Sequence, residues 1–137
     1  MPHDPELLAE TRAWFTKAAT DLRAAHGMSE LAPPLLEAVV FHCQQAAEKA
    51  LKGFLTWHNV PFRKSHNLEE IGEQCLKLDA TLKEVVDRAV PLTEYAWKFR
   101  YPGDPEEATA GEAGTALATA REVFVSVLSR LPSDVGP

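Results

Sequence analysis

Cysteine is scarce in this sequence, and so are long apolar runs. Only Cys43 and Cys75 occur among 137 residues, and both fall in predicted helices between apolar neighbours. We expect two reduced core residues rather than a disulfide, as is usual in a reducing cytoplasm. No run approaches the roughly 18 apolar residues that a membrane span needs, and the acidic segment MPHDPELLAE lacks the apolar stretch of a signal peptide. These absences predict a cytoplasmic protein without a membrane segment.

Blocks of like charge are also missing. The net charge is −6, with 14 lysines and arginines against 20 aspartates and glutamates. This balance disfavours broad, sequence-independent binding of nucleic acid, although it leaves room for a local basic pocket. No metal-ligand spacing, phosphate-binding glycine loop or Ser-His-Asp arrangement is recognisable. We therefore expect neither a metal nor a cofactor, and we rank RNA below other ligands.

Every strong local signal in the first half of the chain is helical. Asp4-Pro5 is typical of a helix start, apolar residues then recur at helical spacing, and Gly27 is a suitable terminator. Asn67, followed three residues later by Glu70, resembles a capping box. These signals predict three helices before residue 80.

The second half of the chain continues this pattern. Thr81 and Glu84 repeat the capping device, Pro91 predicts a kink, and Asp104-Pro105 is the clearest helix start in the chain. No alternating β pattern or internal repeat is present. The predicted fold class is all-α, with one domain over residues 1–137. It is an up-and-down bundle of about five helices, over residues 4–26, 34–58, 67–78, 81–99 with a kink near Pro91, and 104–131.

The second predicted helix is more polar than a core helix needs to be. In FHCQQAAEKALKGFL, residues 41–55, Gln44 projects into a wide apolar arc and Glu48 lies at its margin. A buried carboxylate needs a donor, so these two residues predict either an ion pair, internal or between subunits, or a polar pocket. Gln45, Lys49 and Lys52 lie on the far side, where a solvated face and one wall of an anion site are both open interpretations. Glu48 and Lys52 also have favourable i, i+4 spacing.

The best candidate partner for Glu48 lies in KFRYPGD, residues 98–104. Arg100 sits where a predicted helix gives way to a turn, and its guanidinium can bind a carboxylate or a phosphate bidentately. Arg100 and Tyr101 lie beside the predicted start of the last helix, which favours an anion site. Two interpretations are open: a purely structural pair between Arg100 and Glu48, or a site for a ligand or RNA.

These segments resemble the HEPN domain family, whose abbreviation expands to higher eukaryotes and prokaryotes nucleotide-binding. The resemblance rests on QQAAEKALK, SHNLEEI and YAWKFRYPGD, and it extends from AWFTKAATDL to the last helix. It implies a homodimeric helical bundle that binds nucleotides and associates with a minimal nucleotidyltransferase, often as a toxin–antitoxin pair. Other members of the family are metal-independent ribonucleases. Their Arg-x4-6-His motifs, one from each subunit, form a composite site in which histidine transfers protons and arginine stabilises the phosphorane.

The sequence departs from that ribonuclease motif. Arg100 matches the arginine in approximate place, but YPGDPEEATAG follows it without a histidine. Among the other histidines, His42 is expected at the surface, and His66 is expected to order the loop before the third helix. Three functions therefore stay open: a nucleotide- and partner-binding module, a ribonuclease with an atypical site of Arg100, Tyr101 and His66, and a purely structural dimer.

Two adjacent aromatic residues support the dimer independently. Trp14 and Phe15 follow each other in the first helix, so their side chains point about 100° apart. We expect one of them to leave the intramolecular core, and large exposed aromatic residues are common at interfaces.

Overall fold

The fold is an all-α bundle, as predicted. The computed structural model describes residues 3–137 and contains no strand in that range. Three short 3-10 helices, Ala80–Leu82, Val90–Ala96 and Ser133–Val135, supplement the five α-helices. The α-helices are α1 Pro5–Ser29, α2 Leu36–Trp57, α3 Leu68–Leu78, α4 Lys83–Ala89 and α5 Ala110–Leu128.

Helix α2 is the centre of the bundle. It packs most extensively against α1 and α5, and it also contacts α3 and the 3-10 helix Val90–Ala96. Small residues let its neighbours approach closely: a Cβ added to Gly53 would lie 2.7 Å from Cε2 of Phe15 in α1. Because α2 is covered on several sides, polar side chains along it are drawn into the interior.

The local helix signals explain several of the observed boundaries. The Asp4 carboxylate accepts the backbone N–H of Glu6 and caps α1. Asn67 caps α3 by accepting the N–H groups of Glu69 and Glu70. The reciprocal half of the expected capping box is absent, because the Glu70 carboxylate binds Arg63 instead.

The predicted fourth helix, residues 81–99, is divided in the structure. Helix α4 ends at Ala89, and the segment containing Pro91 continues as a 3-10 helix. Proline lacks the N–H that an α-helix interior needs, which accounts for the break. The expected cap at Thr81 is not formed, because the Asp79 carboxylate accepts the Thr81 N–H and caps the preceding 3-10 helix.

Several helix boundaries differ from the sequence prediction, and two of the differences have identifiable reasons. Helix α1 continues through Gly27 to Ser29, with Met28 packed against the core. Helix α5 starts at Ala110 instead of residue 104, because Thr109 and Glu112 form a reciprocal capping box. It ends at Leu128, and residues 104–109 remain non-helical.

The two cysteines occupy the core, as predicted. Cys43 and Cys75 are both free thiols without accessible surface. Burial raises the pKa of each thiol to about 12, since the interior disfavours the thiolate. Both side chains pack in the core, where burial disfavours the nucleophilic thiolate.

Candidate functional site

A buried carboxylate in α2 gathers three polar partners. The side chain of Glu48 is only 5% exposed. Its Oε1 lies 2.7 Å from Nδ1 of His66 and accepts the Gln44 Nε2–H at 3.1 Å, while its Oε2 lies 3.1 Å from Nζ of Lys52. We call Gln44, Gln45, Glu48, Lys52 and His66 the Glu48 cluster. The predicted polar pair in the apolar arc is thus satisfied within the chain, and the expected Glu48–Arg100 pair is not formed.

The glutamines tie the Glu48 cluster to the loop before α3. Gln44 donates to the backbone carbonyl of His66 at 3.0 Å as well as to Glu48. Gln45 donates to the Oε1 of Gln44 at 2.7 Å. Both amides are therefore engaged in internal hydrogen bonds, and the loop residue His66 is held through its backbone and its ring.

Lys52 is the clearest departure from the expected solvated face. Its side chain is only 7% exposed, and its ammonium lies 5.9 Å from the ring centre of Trp14 and 5.6 Å from that of Phe62. The two aromatic rings exclude water from the Glu48–Lys52 pair, and the ammonium gains a cation–π contribution. Phe62 of the same chain partly covers Trp14. The exposure of Trp14 is therefore weaker support for a dimer than the sequence suggested.

A second buried carboxylate, Asp21 of α1, has an analogous set of partners. Its Oδ1 lies 2.8 Å from Nδ1 of His42, and its Oδ2 accepts from Nζ of Lys49 at 2.7 Å. We call Asp21, His42 and Lys49 the Asp21 cluster. His42 is 30% exposed and Lys49 23% exposed, so neither is the fully solvated residue that its helix position predicts.

Arg100 lies over an aromatic ring, away from both carboxylates. The centre of its guanidinium is 3.8 Å from the ring centre of Phe41 in α2, within stacking distance. Within residues 3–137 it makes no salt bridge and no side-chain hydrogen bond. It borders a shallow pocket of about 280 Å³, lined by Glu37, Ala38, Phe41, His42, Phe99 and Arg100.

The backbone around Arg100 is shaped by two residues with positive φ. Phe99 has φ of 67° while its side chain is buried, so it anchors the segment to the core at the cost of backbone strain. Gly103, with φ of 97°, occupies a conformation that favours glycine. The Asp104 carboxylate accepts the Tyr101 N–H at 3.4 Å, and the Tyr101 side chain is 71% exposed. The turn thus presents Arg100 and Tyr101 to solvent.

The neighbouring cation, Lys98, is already neutralised. Its ammonium lies 3.3 Å from carboxylate oxygens of both Glu94 and Glu106. The hydrogen bond to Glu106, reinforced by Glu94, raises the pKa of Lys98. Arg100 is therefore the cation of this turn that is available to an anion.

Comparison with known proteins identifies the family. The family model described as HEPN domain matches residues 11–130, which is most of the chain. The chain belongs to the HEPN family. A search of curated proteins and a search of solved structures each found no match. The HEPN assignment supports a module of the nucleotide-binding or ribonuclease type.

This HEPN domain does not gather its predicted site residues into one place. Gln44, Gln45, Glu48, Lys52 and His66 form one cluster, Lys49 belongs to the Asp21 cluster, and Tyr101 extends into solvent. Arg100 borders a pocket that His42 lines and His66 does not. Of the three residues of the atypical ribonuclease site predicted from sequence, Arg100 and Tyr101 are neighbours in one exposed turn, whereas His66 belongs to the Glu48 cluster.

Asp21 is the residue that the sequence analysis missed. It lies between Ala18 and Ala25, both fully buried, at the spacing of one helix face. An aspartate on an apolar helix face could have indicated a buried ion pair, because burying an unpaired carboxylate is costly. Its partners, however, come from another helix.

Two negative findings apply to the part of the chain that the structure describes. Over residues 3–137, no group of three or more histidine, cysteine, aspartate or glutamate side chains is arranged to hold a metal ion. No helix in that range combines the length and apolarity needed to cross a membrane.

Proposed function

We propose that this HEPN domain is a homodimeric binding module that takes a nucleotide and associates with a minimal nucleotidyltransferase in a toxin–antitoxin-like pair. The observation that carries the nucleotide proposal is the position of Arg100. It is a guanidinium without an acidic partner in residues 3–137, stacked on Phe41 at the edge of a pocket. A phosphate supplies the bidentate acceptor that this arginine lacks.

The surrounding residues suit the rest of a nucleotide. Tyr101 follows Arg100 and offers an exposed aromatic face on which a base can stack. Lys49 and Lys52 are each paired with a buried carboxylate, so they supply the framework while Arg100 supplies the positive charge. The side chains of Gln44, Gln45 and Glu48 make internal hydrogen bonds along α2, the helix that also carries Phe41.

Calorimetric titration with ribonucleoside 5′-monophosphates tests the nucleotide proposal. We expect the Arg100→Ala variant to bind at least about tenfold more weakly, because a charge-assisted contact to the phosphate is lost. Arg63→Ala is the matched control, since Arg63 is also exposed but is paired with Glu70. Absence of binding by the unaltered protein, or equal losses in both variants, would contradict the proposal.

The partner proposal rests on family membership and on exposed aromatic surface. Trp97 is 56% exposed and lies near Tyr101 in the chain, and such residues favour interfaces. A pull-down of tagged protein from its native cells, followed by mass spectrometry, should recover a small nucleotidyltransferase in stoichiometric amount. Light scattering of the purified protein should give twice the mass of one chain. Recovery of no partner, or a monomeric mass, would contradict the corresponding part of the proposal.

A ribonuclease is the second candidate function. It is favoured by one observation, the presence of the His42 imidazole in the pocket that Arg100 borders. An imidazole beside an arginine is suited to proton transfer next to a phosphate. Incubation of purified protein with labelled RNA tests it: cleavage that disappears in Arg100→Ala supports an enzyme, and no cleavage by the unaltered protein excludes this candidate.

A further inference from the structure

We infer that His42, positioned by Asp21, accepts a hydrogen bond from a ribose hydroxyl of the bound ligand and makes the Arg100 pocket selective for ribonucleotides over deoxyribonucleotides. The inference rests on the proposed nucleotide binding and names its substrate class. Its starting point is the shared pocket, which His42, Phe41 and Arg100 all line.

The contact with Asp21 defines which ring nitrogen of His42 carries a proton. Nδ1 lies 2.8 Å from the Asp21 carboxylate, and an ionised carboxylate only accepts hydrogen bonds. Nδ1 must therefore be the donor. In the uncharged ring, Nε2 then carries a lone pair, and it makes no hydrogen bond within residues 3–137. The pocket thus includes a histidine with an acceptor to offer.

Asp21 keeps this arrangement in place. Its carboxylate is buried and is also bound by the Lys49 ammonium at 2.7 Å, so it is fixed from a second direction. The Lys49 ammonium also balances the charge of the carboxylate. Asp21 is a positioning residue: it acts on the ligand only through the orientation and tautomer of His42.

The chemical groups of the pocket indicate the kind of ligand. Arg100 provides one cation, whereas Glu37 and His42 provide acceptors. Inorganic phosphate would use only the cation and would lie close to the Glu37 carboxylate. A ribonucleotide offers one anionic group for Arg100 and hydroxyl donors for the acceptors, much as acidic side chains bind ribose in other nucleotide sites. A ligand without the hydroxyl leaves a desolvated acceptor unpaired.

The chain supplies a matched control in His66. This histidine also donates through Nδ1 to a buried carboxylate, that of Glu48, but it does not line the Arg100 pocket. Replacing either histidine with phenylalanine keeps an aromatic ring and removes the ring nitrogens. His42→Phe and His66→Phe thus differ in whether the altered ring faces the proposed ligand.

The experiment is a calorimetric comparison of ribonucleoside 5′-monophosphates with their 2′-deoxy and 3′-deoxy counterparts. We expect the unaltered protein to prefer the ribonucleotide over at least one deoxy form by about five- to tenfold, the effect of one hydrogen bond. His42→Phe should lose this preference without binding that deoxy form more weakly than the unaltered protein does. His66→Phe should keep it.

The Asp21→Asn variant tests whether the tautomer and orientation of the His42 ring matter, and not only its presence. The asparagine amide can donate to Nδ1, which allows the proton to move to Nε2 and removes the acceptor. The preference should therefore fall towards unity although His42 is intact, and thermal unfolding will verify that each variant is folded. Should His42→Phe prove unfolded, Asp21→Asn alone decides the matter.

The outcomes separate the two proposals. Equal affinity of the unaltered protein for ribonucleotides and both deoxy forms overturns the hydroxyl inference but leaves nucleotide binding intact. Binding of none of these nucleotides overturns both. A preference that His42→Phe and Asp21→Asn retain shows that another group selects the ribose.

Discussion

The Glu48 cluster and the Asp21 cluster share three kinds of side chain, which lie in different surroundings. Each joins a buried carboxylate to one lysine and to Nδ1 of one histidine. Around Glu48, the lysine lies beneath two aromatic rings and two glutamines complete the hydrogen bonds. Around Asp21, the lysine is three times as exposed, and the histidine borders the pocket of Arg100. The residues around such a set of carboxylate, lysine and histidine, more than the set itself, determine whether it stabilises the fold or offers its histidine to a ligand.

Removal of each carboxylate should reveal this difference most strongly. Glu48→Ala leaves Lys52 buried without its counter-ion, and we expect a loss of unfolding free energy of about 3 kcal/mol. Asp21→Ala should cost about 1–2 kcal/mol, because Lys49 and His42 can turn towards water. Urea denaturation measures both values, and equal losses would show that the two clusters do not differ in effective burial.

Removing the whole ion pair sharpens the comparison. Replacing Glu48 with Gln and Lys52 with Met together leaves no buried charge, and the methionine fills the space between Trp14 and Phe62. We expect the double variant to be more stable than either single variant, with a coupling energy of about 1–3 kcal/mol. A double-mutant cycle in urea gives this energy, and additive effects would indicate a solvated pair.

The histidine of the Glu48 cluster should contribute less than its lysine. His66→Ala removes one of three donors to Glu48, and Gln44 and Lys52 remain. We expect a loss of about 1 kcal/mol, the usual value for one hydrogen bond. The change in thermal midpoint, compared with that of Glu48→Ala, checks the order. A loss as large as that of Glu48→Ala would mean that the loop before α3 depends on His66 alone.

The smallest effect on stability is expected at Arg100. It is exposed, and its guanidinium stacks on the Phe41 ring, a contact worth about 0.5–1 kcal/mol. Arg100→Ala should therefore unfold within about 1 kcal/mol of the unaltered protein, although it should lose nucleotide affinity. A larger loss in urea denaturation would place Arg100 among the residues that stabilise the bundle.

The sequence predicted the features that depend on neighbouring residues along the chain. The cap at Asn67, the break at Pro91 and the i, i+4 pair between Glu48 and Lys52 each involve residues close in sequence. The all-α class followed from the same local signals. Helical spacing also indicated that Gln44 and Glu48 would be drawn into the interior.

The features that the sequence did not predict depend on contacts between distant segments. The Lys52 ammonium is shielded by Trp14 of α1 and by Phe62 of a loop, and periodicity along α2 carries no information about either. The sequence contains two possible starts for α5, at Asp104 and at Thr109. The helix was predicted to start at Asp104, but in the structure Thr109 is its N-cap. Arg100 stacks on Phe41 of a distant helix, and the residue before it, Phe99, takes a positive φ that its residue type does not indicate.

The turn that follows the buried Phe99 has a consequence for the sensitivity of the protein to proteases. The buried Phe99 ring ties the turn to the bundle, while the peptide bond after Arg100 lies in an exposed segment between helices. Exposed turns are preferred sites of proteolytic cleavage, and trypsin cuts after arginine. Limited digestion should therefore cut the chain at this bond, between α4 and α5. A bound nucleotide that covers Arg100 would slow the cut, which makes the rate of digestion a direct reporter of site occupancy.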